Sequence, residues 1–475
     1  MEHQSSISQS DKVELKIGFK GIMFFVLQSG PQRRVETFFK RDDTLPALKR
    51  LRQEHYWEQT GIDRGIDMNN QNLLSTWRNY PDFRLLWISS LSTYIGRWME
   101  TAVGAWLVLQ LTDSAFLVGV LGACRFAPML LGPFCGAISD RYHRRQILLA
   151  VQGMYGTASF FVVVLFLTAY LESWHLFAYV LIGGICHTLD FSTRYAAAAD
   201  IVERRHLTAA ISLLVLAMGS TSIFGPLLGG NLLEFIKPSG CFIMIFGFFA
   251  VSAGLLFVMK IREPGKSGIR NSMHKDLMDG LRYVKSDPVL FSLVCIAAMV
   301  NLFVFPFWFA LLPVFARDIL HTTAGGYGQL MASIGLGAAL GSLLAGSLPE
   351  SVNKGKLLIA NTIAWPGFLI IFSISRLFPV SAALLVLAGA SQGMAMALIQ
   401  SMMLMRASEE MRGRVIGARA FAVATLPLGN LIAGAGADLL GASVMLIIIS
   451  SAAIMMTVFL ATRSPELLKG SETGN

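Results

Sequence analysis

Twelve apolar runs, each long enough to cross a bilayer, dominate the chain beyond residue 82 and leave little choice of fold. They fall at 83–111, 115–138, 146–171, 174–197, 207–234 and 240–260, then at 289–316, 324–348, 356–375, 379–405, 414–440 and 442–462. A helix of about 20 such residues spans the hydrocarbon core. The runs therefore predict an all-α polytopic membrane protein with twelve transmembrane helices. Of the 475 residues 54% are hydrophobic and 15% charged, against about 25% charged in soluble domains. No soluble core absorbs that much apolar sequence.

The formal charge of +9 points to nucleic acid only where bases cluster on a solvated face. Here they sit in short connections. One side of the membrane receives Arg141, Arg144, Arg145, Arg204, Arg205, Lys354, Lys356, Arg406, Arg412 and Arg463, while the opposite connections hold Lys237, Arg317 and Arg376. The positive-inside rule makes the first side cytoplasmic and places both termini there. Trp77, Tyr80 and Trp87 stand where interfacial aromatics belong. The five cysteines lie in apolar runs without metal-ligand spacing and read as small core residues.

Five segments follow. Residues 1–75 form a polar extension whose one apolar run, Gly21 to Leu27, is too short to span. Leu45 to Gln59 has the pattern of a charged amphipathic helix. Two readings of the extension stay open: a cytoplasmic appendage, or an artefactual preface to a start at Met68. Residues 76–261 make one six-helix bundle and 288–463 a second. The basic linker 262–287 joins them, its part from His274 to Lys285 predicted to lie on the membrane surface as a helix. Residues 464–475 are a cytoplasmic tail.

The halves echo each other. Gly346, Glu350 and Lys354 repeat the spacing of Gly136, Asp140 and Arg144, and Asp82 opening the first span matches Asp287 opening the seventh. Two parallel six-helix repeats around an axis along the membrane normal explain the common offset.

Ionisable residues inside spans are costly, so each needs a partner or a function. Arg97 and Glu100 in the first span and Arg125 in the second stand near mid-depth, and Glu100 is expected to pair with one of the arginines. Glu100 suits proton or substrate binding, with an arginine tuning it; a permanent structural pair is the plainer alternative. His187, Asp190 and Arg194 are placed near the cytoplasmic end of the fourth span, with Asp190 and Arg194 at ion-pair spacing. They suit either a proton relay or a cytoplasmic latch in which Arg194 meets Asp140. Asn301, Phe305, Trp308, Gln392 and Gln400 are candidate cavity-wall residues for a large amphiphilic ligand. Arg419 and Asp438 are placed near the two ends of the eleventh span, with no role assigned.

The connection Gly136-Ala-Ile-Ser-Asp140-Arg141-Tyr-His-Arg144-Arg145 resembles the signature loop between the second and third helices of the major facilitator superfamily, and implies a conformational switch there. Gly225-Pro226-Leu-Leu-Gly229-Gly230 is similar to the core of a motif of that superfamily's drug/proton antiporters, although position 221 holds Thr where the motif has Gly. Further stretches resemble bacterial exporters of the enterobactin-exporter and macrolide-efflux type: Phe83-Arg-Leu-Leu-Trp, Trp98-Met-Glu100-Thr, Arg125-Phe-Ala-Pro128, Gly280-Leu-Arg-Tyr-Val and Leu311-Leu-Pro-Val-Phe-Ala-Arg317-Asp. The likeness implies the major facilitator fold in the inner membrane and proton-driven efflux of hydrophobic or amphiphilic small molecules by alternating access. A dedicated siderophore exporter is the narrower version.

The expected partners are a small-molecule substrate, protons and the lipid bilayer, with no nucleic acid, no cofactor and no metal, in a monomer. The chain lacks the phosphate-binding pattern of an ATP motor, and its in-span polar groups are too few for a lipid-processing enzyme. A transport-incompetent sensor or partner protein is the remaining alternative of another class.

Overall fold

The computed structural model describes residues 12–17, 22–28, 34–40, 73–260, 273–349, 351–408, 411, 415, 417, 419 and 422–469. The chain divides into two compact units, Met1–Gln71 and Asn72–Asn475. The first carries an antiparallel sheet of three strands, Lys12–Ile17, Ile22–Gln28 and Arg34–Lys40, in sequential order. The apolar run judged too short to span is its middle strand. The amphipathic helix expected over 45–59 lies outside the described residues.

The second unit is helical. Among the described residues eight helices are long and apolar enough to cross a membrane. One of these, Arg204–Val258, is two spans joined end to end. Lys237 takes φ 59°, ψ 170° and Pro238 follows it, so the axis breaks at one residue where the sequence suggested a short loop. Proline disfavours the helical conformation in the residue before it. Three further helices complete twelve spans. Pro81–Thr112 is long, but Arg97 and Glu100 dilute its apolar character. The second span is Ala115–Phe126, a 3-10 segment Ala127–Leu131 containing Pro128, and Gly132–Arg141. The eleventh is described as Leu426–Leu440.

The seventh span bends as its prolines require. After Pro288–Phe303 it continues through π-helical turns Phe307–Leu311 and Phe315–Ile319, with Leu312–Val314 between them. Pro306 and Pro313 cannot donate to the helical ladder, and wider turns accommodate the loss. The linker helix Met273–Ser286 matches its expected position, and Asp287 caps the seventh span by accepting from the Val289 and Leu290 amides. Residues 261–272 lie outside the described set.

Small residues set the contacts between spans, as they do where lipid offers no hydrophobic drive to associate. The halves meet along two seams. At the second and eleventh spans, a Cβ on Gly119 would lie 2.4 Å from the Asn430 carbonyl oxygen. At the fifth and eighth, a Cβ on Gly230 would lie 2.4 Å from the Ala324 carbonyl oxygen. These seams occupy equivalent places in the two repeats.

Candidate functional site

Inside the first half, four spans converge on Glu100. Arg125 Nη2 donates to both carboxylate oxygens at 2.7 and 2.8 Å, and the Tyr155 hydroxyl donates to Oε2 at 3.0 Å. Tyr155 stacks on Tyr179 of the fourth span with centroids 5.0 Å apart, and Tyr179 shares a hydrogen bond with Ser159. Glu100 has no solvent exposure. Its ion pair goes to Arg125, not to Arg97. Arg97 instead donates to the Gly183 carbonyl at 2.8 Å and lies over the Tyr155 ring. That ring ties the two arginines to the one carboxylate.

A second network lies deeper in the same bundle. Arg194 Nε donates to Asp190 Oδ2 at 2.6 Å, and its other nitrogens reach the hydroxyls of Ser89, Ser90 and Thr93 on the first span. Gln152 of the third span donates to Asp190 Oδ1, and Ser252 of the sixth bonds both Ser89 and Thr93. Arg194 is fully buried and bonded at each nitrogen within its own half. The side chain of Asp140 lies outside the described residues. The fourth span runs Ser173–Ile201, which puts His187 at its midpoint and not near its cytoplasmic end. Its Nδ1 is buried with no hydrogen-bond partner.

The basic connection after the second span bonds within its own half. Arg144 pairs with Asp200 and donates to the Ala196 carbonyl, while Arg145 donates to the Leu256 and Phe257 carbonyls ending the sixth span. No described atom stands within 4 Å of a Cβ built on Gly136. The Gly225, Pro226, Gly229, Gly230 stretch is a packing surface with two sides. Gly225 and Gly229 lie against Trp98 and Met99 of the first span; Gly230 and the Pro226 carbonyl lie against Ala324 and Gly328 of the eighth.

The candidate wall residues have separate fates. Asn301 donates to the Ala297 carbonyl of its own helix, and Phe305 meets Trp365 edge-on. Gln400 accepts from Arg419. Trp308 Nε1 and Gln392 Oε1 are buried without partners, as expected of groups that serve a ligand or ordered water.

Among the described residues three sets of polar contacts join the halves, and these three lie at one end. Asp438 of the eleventh span accepts from the Ser114 hydroxyl and the Ala115 and Phe116 amides, which begin the second. Arg317, ending the seventh, donates to the Leu109 carbonyl and to Asp113. Glu234 of the fifth accepts from the Gly325 amide that starts the eighth. Below them Trp106 stacks on Tyr327 across the seam at 5.8 Å. Sequence reasoning passed over all of these. Their one readable signal was an acid at the end of each span, next to a helix start that favours negative charge.

This arrangement of twelve spans, paired buried charges and two glycine seams defines a major facilitator transporter, not an enzyme. The chain belongs to the family described as transmembrane secretion effector, which it matches over residues 75–472. It is 26% identical to the enterobactin exporter of Shigella flexneri over 366 residues, 74% of this chain and 84% of that one. It is also 26% identical to the enterobactin exporter of Citrobacter koseri over 324 residues, 66% and 74% of the two chains. Among solved structures it is similar to a bacterial homologue of the human lysosomal transporter Spinster, in an inward-facing and unoccupied conformation, with a TM-score of 0.62 and 14% identity over 82% of this chain and 95% of that one. The nucleoside transporter NupG gives a TM-score of 0.63 at 13% identity, over 80% and 99%.

Proposed function

We propose that the protein is a secondary active exporter of hydrophobic or amphiphilic small molecules, driven by proton entry through alternating access. It works as a monomer in a bacterial inner membrane, with both termini and the Arg141–Arg145 connection in the cytoplasm. The observation that carries this reading is the Glu100 site. A carboxylate sealed among Arg125 and Tyr155 is the kind of in-membrane acid that transporters protonate. Protonation removes the charged partner of Arg125, so occupancy by a proton changes the charge this site offers a substrate. In this reading the polar contacts at the Asp438 end belong to a gate that opens and closes during transport.

The test is accumulation of a dye and antibiotic panel in cells overproducing the protein, with and without collapse of the proton gradient. Lowered accumulation that recovers on collapse is expected. Efflux indifferent to the gradient contradicts proton coupling.

A narrower reading, a dedicated siderophore exporter, is favoured by the enterobactin exporters among the relatives. It predicts that the panel is ignored while an iron chelator of that class is carried.

A further inference from the structure

The ionisable groups inside the spans do not balance. Glu100 is matched by Arg125 and Asp190 by Arg194. Arg97 and Arg419 have no such match: neither forms an ion pair among the described residues. Arg97 is 8% exposed, and its bond to the Gly183 carbonyl leaves its other nitrogens with no described acceptor. Arg419 is held by the Gln400 amide oxygen and the Met396 sulfur of the tenth span. Carbonyls, amides and thioethers satisfy donors but leave the charge uncompensated. An uncompensated buried cation is costly, and a bound anion removes that cost.

A second donor lies on the helix that accepts from Arg97. Gly183 and His187 are one turn apart on the fourth span, so His187 shares the helix face that anchors Arg97. Its Nδ1 is buried and unpartnered. As a neutral donor at Nδ1 it completes, with the planar Arg97 fork, a cradle for an acidic group. Trp308 Nε1 and Gln392 Oε1, on the other half, offer the neutral polar contacts an amphiphile's remaining part requires.

We infer that the cargo is an organic anion whose acidic group docks on Arg97 and His187, with Arg419 as a second, separate cation. This rests on the transport reading above and adds to it the sign of the substrate. The arginines then have separate roles, Arg125 serving Glu100 and Arg97 serving the cargo.

The experiment uses the full chain in phosphatidylcholine vesicles and three dyes: carboxyfluorescein as the anion, rhodamine 6G as the cation and Nile red as the neutral probe. Flux and equilibrium binding are both measured. Binding of the anion at least about tenfold tighter than the cation is expected, a preference of about 1.4 kcal/mol. Arg97→Gln is expected to remove it, Arg97→Lys to keep part of it, and His187→Leu to weaken anion binding less than Arg97→Gln does. Equal binding of the three dyes overturns the inference, as does unchanged anion binding in folded Arg97→Gln. If Arg97→Gln does not fold, the dye series on the unaltered protein and His187→Leu decide. Binding of the anion without flux of any dye supports the site while refuting the transport reading. Added phosphatidylglycerol that displaces the anion identifies lipid, not cargo, as the occupant and overturns the proposal.

Discussion

The Asp438 carboxylate stands 2.7 Å from the Ser114 hydroxyl and 2.6 Å from the Ala115 amide nitrogen. The eleventh span thereby caps the second across the boundary between halves, placing negative charge at a helix start. The group is on an exposed rim, so its contribution is on the order of 1 kcal/mol. Asp438→Asn is expected to loosen this gate by about that amount. Spin labels on Thr112 and Leu440 report it as a second, longer distance population; an unchanged distribution contradicts the gating role.

The Glu100–Arg125 pair makes a prediction about stability. Removing one partner of a buried pair costs about 3–5 kcal/mol because the other charge is left alone, whereas removing both costs less. Glu100→Gln and Arg125→Gln are each expected to lower the thermal midpoint of the purified protein more than the double variant does. Additive losses in the double variant contradict mutual compensation.

How much of this was legible before the fold was known differs by residue. The spans were, since membrane-length apolarity is local to each segment. That Glu100 needs an arginine was equally plain; which one was not, because Tyr155 of the third span and the Gly183 carbonyl of the fourth separate Arg97 from the carboxylate. The surroundings of Arg194 were hidden for the same reason. Hydroxyls of Ser89, Ser90 and Thr93 on the first span close around that guanidinium beside Asp190 of its own helix, and spacing along one helix cannot reveal them. Asp438 was passed over because its partners lie more than 320 residues away in sequence.

Two glycines on the fifth span should respond oppositely to alanine. A Cβ at Gly225 meets Trp98 Cβ at 2.4 Å, and at Gly219 it meets no described atom within 4 Å. Gly225→Ala is expected to destabilise by about 1–3 kcal/mol through overpacking. Gly219→Ala is expected to be neutral or stabilising by up to about 1 kcal/mol. Thermal unfolding in detergent distinguishes them, and equal effects contradict the close approach of the first and fifth spans.

Asp287 supplies a pH dependence outside the spans. Burial alone raises its carboxyl pKa, but the Arg406 guanidinium and the Leu290 and Val289 amides outweigh burial and hold it below the ordinary carboxylate range. A depressed carboxylate stabilises fully above its unfolded pKa and loses that contribution as pH falls through the folded one. Asp287→Asn is expected to be less stable than the unaltered protein at neutral pH, with the gap closing in acid. Added salt narrows it, since Arg406 is exposed. A gap independent of pH contradicts the assignment.

The most direct test of the central claim is proton flux in vesicles carrying a pH-sensitive dye, read as a transported substrate is added. The account predicts substrate-triggered proton movement in the unaltered protein. It predicts none in Glu100→Gln, even where that variant still binds substrate. Equal proton flux in both proteins contradicts the assignment of coupling to the carboxylate held by Arg125 and Tyr155.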